Sequence, residues 1–391
     1  DMVYMIESIS RLDSVKQSSY YTWLRNAYTN LPNDEVDDLF EPVVLAGPEI
    51  DRLEATQQLL QVALKALLLN YQSSEDLQSL VPVSTRTLDL LGELEDEPLE
   101  GQIVRPDFVY RPNGAPQICE INARFIFNGL YLTVNSANGL SEFGRVPDGT
   151  VELEQFLKSK HSGKRSYVIK GREPDYDMFY YKENNDVTVI PPVDEAIDGI
   201  EDCDQVVLEL HQDELELCLE SVVKLIKRGF KVINDPRVIM IGHDKRLLAA
   251  MCSPSLMGQF IDPVLAPKLS SCIVPTWVDG WRGSNQLGAA LSYPERYVAK
   301  LAISGKSDGF YDFRFFDQQD INDIRLISDQ VAIQERIEQT RISGSDQSLE
   351  VAGTLPMTIC EETLGPGVMR FYKYGAPYKF EGYCPVLESP E

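Results

Sequence analysis

The sequence predicts a mixed α/β protein, and three observations carry that expectation. Leu60, Leu64, Leu67 and Tyr71 recur at helical spacing, so the first part of the chain reads as helix. Between 205 and 233 an apolar run (QVVLEL), an amphipathic stretch and a second apolar run (KVI) follow one another within 35 residues, the rhythm of a βαβ unit in a parallel sheet. Around residue 110 and again after 290, short apolar runs are separated by Gly-, Pro- and Asn-containing turns, which predicts antiparallel hairpins. The domains expected are a helical segment at 1–95, a hairpin-bearing part at 96–150, a βαβ subdomain at 151–244 and a further lobe at 245–391.

The amphipathic stretch is marked by Leu215, Leu219, Val222 and Ile226, and Gly229 supplies its stop. The net charge of -25 argues against nucleic acid or an anionic membrane as partner, because both repel an acidic surface. Apolar residues make up 43% of the chain, enough for a sizeable core. The seven cysteines include no C-x-x-C pair, which fits reduced thiols and a cytoplasmic protein better than a disulfide framework or a zinc site. No signal peptide or membrane span is evident, and the sequence is silent on oligomeric state.

The most informative stretch is RPDFVYRPNGAPQICEINARF, from Arg105 to Phe125. Phe108 to Tyr110 reads as a strand, Pro112-Asn113-Gly114 as its turn, and Gln117 to Ile121 as the returning strand. Side chains alternate along a strand, so Glu120 and Asn122 share a face, and the hairpin brings Asp107 to the same end with Arg105 beside it. Three oxygen-bearing side chains converging on a sheet edge suit a hard cation such as Mg²⁺. An ordinary hairpin with polar ends accounts for the pattern equally well.

SGKS at 304–307 resembles a phosphate loop, but Lys300 stands where that motif needs its first glycine, and a strand follows instead of a helix. The stretch supports a different device: a strand delivering Lys300, a small loop with free backbone N–H groups at Ser304 and Gly305, and a returning strand that lies over phosphates. Lys245 opens a helix in HDKRLLAAM, with His243 or Asp244 as N-cap. VAIQERIEQ reads as a buried strand ending at Gln334, Glu335 and Arg336. Taken one at a time, Lys245 reads as a surface amine and VAIQERIEQ as an amphipathic strand.

Together these motifs, in this order over residues 100–340, resemble the circularly permuted branch of the ATP-grasp superfamily. The pattern is similar to the synthetase domain of glutathionylspermidine synthase and, more distantly, to eukaryotic glutathione synthetase. The resemblance implies an ATP-grasp carbon–nitrogen ligase that joins a small carboxylate to an amine through an acyl phosphate, releasing ADP and phosphate. It implies ATP and Mg²⁺, with Asp107, Glu120 and Asn122 as metal ligands and Arg105 at the transferring phosphoryl group. Lys245, Lys300, Ser304 and Gly305 would hold phosphate, and Gln334, Glu335 and Arg336 would form the adenine hinge. A nucleotide-binding protein without ligase activity and a small-molecule phosphotransferase are the alternatives. Two departures from the family pattern stand out: Leu301 follows Lys300 where proline is usual, and the loop from Ser304 to Gly309 lacks the customary Glu.

Overall fold

The computed structural model describes residues 5–6, 9–11, 43–99, 102–111, 115–131, 133–134, 141, 143–174, 178–304, 309–337, 341–342, 349–354, 356–359, 364–373 and 380–388. Strands β1 (Met5–Ile6), β2 (Ile9–Arg11) and β3 (Val43–Leu45) precede the first long helix. Helices then occupy Gly47–Asn70, Glu75–Leu80 and Thr85–Gly92. Among the described residues between 47 and 92, helix is thus the dominant structure. The three short strands were not anticipated, since strands of two or three residues leave no readable alternation.

Strands β4 (Ile103–Tyr110) and β5 (Pro116–Asn122) form the expected hairpin. Four strands follow, interleaved with helices: β6 (Arg165–Lys170), β7 (Asp186–Ile190), β8 (Gln205–Glu209) and β9 (Val232–Ile233). They make an all-parallel sheet in the order β7-β6-β8-β9. β10 (Thr276–Trp277), β11 (Tyr297–Leu301), β12 (Phe310–Asp312) and β13 (Val331–Glu335) make an antiparallel sheet in the order β10-β13-β11-β12. β14 (Arg341–Ile342), β15 (Leu349–Thr354), β16 (Met357–Thr358), β17 (Val368–Lys373) and β18 (Phe380–Glu388) complete a larger mixed sheet with β1–β5.

The core follows from the periodicities. Leu60, Leu64, Leu67 and Tyr71 are all buried along the Gly47–Asn70 helix. The Gln212–Lys227 helix buries Leu215, Leu219 and Val222 against the parallel sheet and ends where Gly229 adopts φ 86°. That positive φ is the left-handed conformation glycine tolerates best.

Gly149, in the first turn of the Asp148–His161 helix, lies against Gly365, which has φ 61°. A Cβ on Gly149 would fall 2.4 Å from Gly365 Cα. Gln57 also holds Gly365, its Nε2 donating to Pro356 O at 2.7 Å and Gly365 O at 2.9 Å. Gly149→Ala is expected to cost about 2–3 kcal/mol by overpacking, read as a lower urea midpoint. An unchanged midpoint would mean the two backbones separate freely.

Candidate functional site

β4 and β5 pair antiparallel, with Asp107 opposite Glu120 and Arg105 opposite Asn122. Directly opposed residues share a face, with Cβ atoms about 4.5–5.5 Å apart. All four side chains therefore project from one face, as the hairpin reading expects. A β-bulge sharpens the arrangement. The register steps from Asp107↔Glu120 to Phe108↔Ile118, which leaves Cys119 without an opposite number. Phe108, Ile118 and Ile121 consequently enter the same core cluster while Glu120 and Asn122 face the other way. In a regular strand Ile118 and Glu120 would share a face, so the bulge is what re-aims the carboxylate.

Both lysines reach this hairpin from distant segments. Lys245 Nζ lies 3.3 Å from Glu120 Oε1 and also donates to Ser304 O; its side chain is 3% exposed. Lys300, on β11 opposite Phe310 and Ala332, donates from Nζ to Cys119 O at 3.3 Å. The two amines, 55 residues apart in sequence, thus contact adjacent residues of β5. The Cys119 carbonyl that accepts from Lys300 also accepts from Gln334 Nε2 at 3.0 Å, so the bulge docks the antiparallel sheet onto the hairpin.

The remaining expected residues are placed as follows. Arg105 directs its terminal nitrogens to the carbonyls of Asn128 (2.7 Å) and Arg124 (2.9 Å), pinning the chain after β5. Glu335 pairs with Arg111 at 2.6 Å, and Arg336 pairs with Asp312. The backbone N–H groups of Glu335 and Arg336 donate to Pro275 O (2.9 Å) and Arg296 O (2.8 Å), so neither amide points to open space. β11 and β12 pair as the two strands read from the sequence, β12 beginning at Phe310. Gly305 lies outside the described residues, as does most of the loop. Asp244 does not cap a long helix; its carboxylate accepts from Arg246 N at 2.8 Å and grips the Arg246 guanidinium, and the helix begins only at Leu247. Among the described residues no group of three or more His, Cys, Asp or Glu is arranged to hold a metal. Any metal held here would rest on two carboxylates and one amide.

Sequence reasoning missed Arg124 and His243. Arg124 interrupts an apolar run, ARFIF, and that is its one signal, while His243 opens the polar HDKR stretch and reads only as a helix cap. Arg124 is 8% exposed; its Nη1 donates to Gln212 Oε1 at 2.5 Å and Ile303 O at 3.3 Å. Burial pulls its pKa down to about 10, against the field of Glu120 and Glu173. His243 accepts a hydrogen bond at Nδ1 from Ala123 N (3.2 Å), so its neutral ring carries the proton on Nε2. Complete burial, reinforced by Arg124, Lys245 and Arg105, holds its pKa well below the ordinary value.

A second polar group flanks the first. The chain leaves β6 for β7 on one side and then crosses to β8 on the other, so the crevice beyond Lys170 and Glu209 is a switch point, where open α/β sheets bind ligands. There Glu173 Oε2 lies 3.2 Å from His211 Nε2, and His211 packs edge-on against Phe125 at 4.9 Å. Burial first, then Arg124 and Arg172, lowers the His211 pKa. Arg124 stands between the hairpin and this crevice.

Comparison with solved structures gives a match over 96% of this chain to 96% of a glutathione synthetase-like effector from Globodera pallida, in apo form, at TM-score 0.55 and 11% identity. The fold is glutathione synthetase-like. A family model described as AnkG N-terminal domain matches residues 56–241, less than half of the chain. No curated protein sequence matches. Among the described residues no helix is long and apolar enough to cross a membrane.

Removing the Lys300 amine frees the Cys119 carbonyl but leaves Gln334 bonded to it. Lys300→Ala is therefore expected to fold normally and to weaken nucleotide binding at least about tenfold, as loss of a charge-assisted contact does. Calorimetric titration with ATP checks this, and wild-type affinity in the variant would remove Lys300 from the site.

Proposed function

We propose that this protein is an ATP-grasp carboxylate–amine ligase that forms an amide and releases ADP and phosphate. The observation that supports it best is the meeting of Lys245 and Lys300 at Glu120 and Cys119, beside the cross-strand Asp107/Glu120 pair. The glutathione synthetase-like fold agrees with this reading. The order of the chain, with the hairpin ahead of both lysines, fits the permuted branch and the synthetase domain of glutathionylspermidine synthase.

The donor set is hard and oxygen-based, which fits Mg²⁺. Asp107, Glu120 and Asn122 would hold the ion, and it would supply charge neutralisation between the β- and γ-phosphates of ATP. Lys245 and Lys300 place two further positive charges on the same polyphosphate. Ser304 and Gly305 offer backbone contacts, and a hinge donor for adenine would come after Arg336, because the Glu335 and Arg336 amides are engaged. Arg105 acts by fixing the chain through Arg124 and Asn128. The substrate carboxylate oxygen attacks the γ-phosphorus, the bond to ADP breaks, and the amine nitrogen then attacks the acyl carbon, expels phosphate and loses a proton. The crevice at Glu173 and His211 would receive the carboxylate and amine substrates. The protein's part is positioning and the exclusion of water until the amine arrives.

ATP should be cleaved to ADP and phosphate, with net turnover only when a carboxylate is present. Incubation with Mg²⁺, ATP and a pool of amino acids, peptides and polyamines, followed by nucleotide chromatography and mass spectrometry, tests this. AMP as the stoichiometric product would end the reading. Binding of ATP without any amide product would favour a nucleotide-binding protein that lacks ligase activity, and a phosphorylated product without an amide would favour a phosphotransferase.

A further inference from the structure

Arg124 is a buried cation with no carboxylate in ion-pair range among the described residues. Each hydrogen bond it makes goes to a neutral acceptor, the Gln212 amide or the Ile303 carbonyl. Buried charges in folded proteins are ordinarily paired, because an isolated one carries a heavy desolvation cost. Glu120 and Glu173 act on Arg124 only through their fields. Arg172, by contrast, is exposed and has a bidentate partner in Asp213 at 2.7 and 3.0 Å.

Two further donors nearby lack acceptors. Gln212 gives its Oε1 to Arg124, while its Nε2 is buried without a hydrogen-bond partner among the described residues, and the residue is 4% exposed. Gln212 also opens the 16-residue Gln212–Lys227 helix, whose N-terminus adds a positive partial charge. His243, 1% exposed, carries a proton on Nε2 that finds no acceptor among the described residues. An excess of buried donors over acceptors around one guanidinium is the signature of a site completed by an anion.

We propose that Arg124, with Gln212 Nε2 and His243 Nε2 beside it, is an anion-binding site between the β4–β5 hairpin and the switch-point crevice, built for an oxyanion that reacts or is held there. This rests in part on the ligase reading, which offers two such oxyanions, the phosphoryl group and the substrate carboxylate. Arg105 is not equivalent, since both its terminal nitrogens are committed to backbone carbonyls.

The test compares wild type with Arg124→Met, which is similar in length and uncharged. Thermal unfolding is followed without ligand and with inorganic phosphate or glutamate as separate probes. In wild type at least one probe should raise the midpoint; phosphate alone identifies the phosphoryl end, glutamate alone the carboxylate end. In Arg124→Met the probe-induced shift should vanish while the ligand-free midpoint stays level or rises, since a strained charge has been removed. A purely structural arginine would instead lower that midpoint and leave the shift intact. A retained shift, or no shift with either probe in wild type, overturns the proposal. Should Arg124→Met fail to fold, Arg124→Lys keeps the charge but loses the fork, and must weaken the effective probe about tenfold; unchanged binding overturns the proposal equally. Wild type that binds phosphate through Arg124 yet never binds ATP would sink the ligase reading alone. ATP binding indifferent to Arg124, with no phosphate or glutamate effect, would sink this inference alone.

Discussion

Glu120→Gln should lower Mg²⁺-dependent ATP turnover by about two orders of magnitude or more, the scale on which removal of a single electrostatic stabiliser acts in other active sites. The substitution keeps the shape and an oxygen that can accept from Lys245, and removes the negative charge. Because Lys245 is nearly fully buried and lies 3.3 Å from Glu120 Oε1, the choice of replacement matters. Glu120→Ala would leave that ammonium with the Ser304 carbonyl alone among the described residues and is expected to cost about 3 kcal/mol of stability. The pair of variants separates the two roles of the carboxylate: the amide should be stable and inactive, the alanine unstable and inactive. Turnover at the wild-type rate in Glu120→Gln would remove the hairpin from the chemistry.

Acid should destabilise this fold unusually early. The chain has three histidines, and the folded state lowers the pKa of each. For His161 burial is the main cause, and its value falls to about 3. Among the described residues neither ring nitrogen makes a hydrogen bond of good geometry; the ring is packed between Phe127 and Phe156, and Gln205, whose nearness partly offsets the burial, turns its amide to Tyr181 and Ser166. The unfolded chain takes up these protons near pH 6.5. Between that pH and the folded pKa the unfolded state binds more protons, so stability is full above about 6.5 and is lost as the pH falls. The slope approaches about 1.4 kcal/mol per pH unit for each buried histidine. Glu49 and Glu54, raised chiefly by burial, oppose the trend only near the carboxylate range. Urea midpoints at pH 7.5, 5.5 and 4.5 should fall steeply in wild type and less steeply in His161→Phe. Parallel curves would show that His161 has no part in the effect.

Much of this architecture was legible from residue spacing. The Leu60–Tyr71 stripe, the QVVLEL–helix–KVI unit and the β11–β12 hairpin are long or strongly patterned, so local rules decide them. That Glu120 and Asn122 share a face was legible from strand alternation, but the turn's own register would set Asp107 opposite Cys119, and only the bulge, which no residue pattern announced, brings Glu120 to it. What escaped was what tertiary contact decides. β1 to β3 are too short for a period. The engagement of the Glu335 and Arg336 amides depends on Pro275 and Arg296, which only the folded chain brings near. Arg124 looks like an interruption of an apolar run, and His243 like the start of a charged stretch, until their burial is known.

The bulge at Cys119 is, in effect, a phase shift of one residue in the two-residue period of the strand. Upstream of it, even-numbered β5 positions such as Ile118 belong to the core; downstream, even-numbered positions such as Glu120 and Asn122 belong to the site. The parity of the strand is reversed by a residue whose side chain is not needed for the reversal. Replacing Cys119 with another residue that leaves its carbonyl free should therefore change little. Deleting it would put Ile118 and Glu120 in consecutive positions with the bulge gone. Ile118 would still face Phe108 and Glu120 would still face Asp107, now in a regular ladder; what would be lost is the carbonyl that accepts from Lys300 and Gln334. The backbone of this residue matters more than its side chain, so deleting Cys119 with its twice-bonded carbonyl should be more damaging than replacing the side chain.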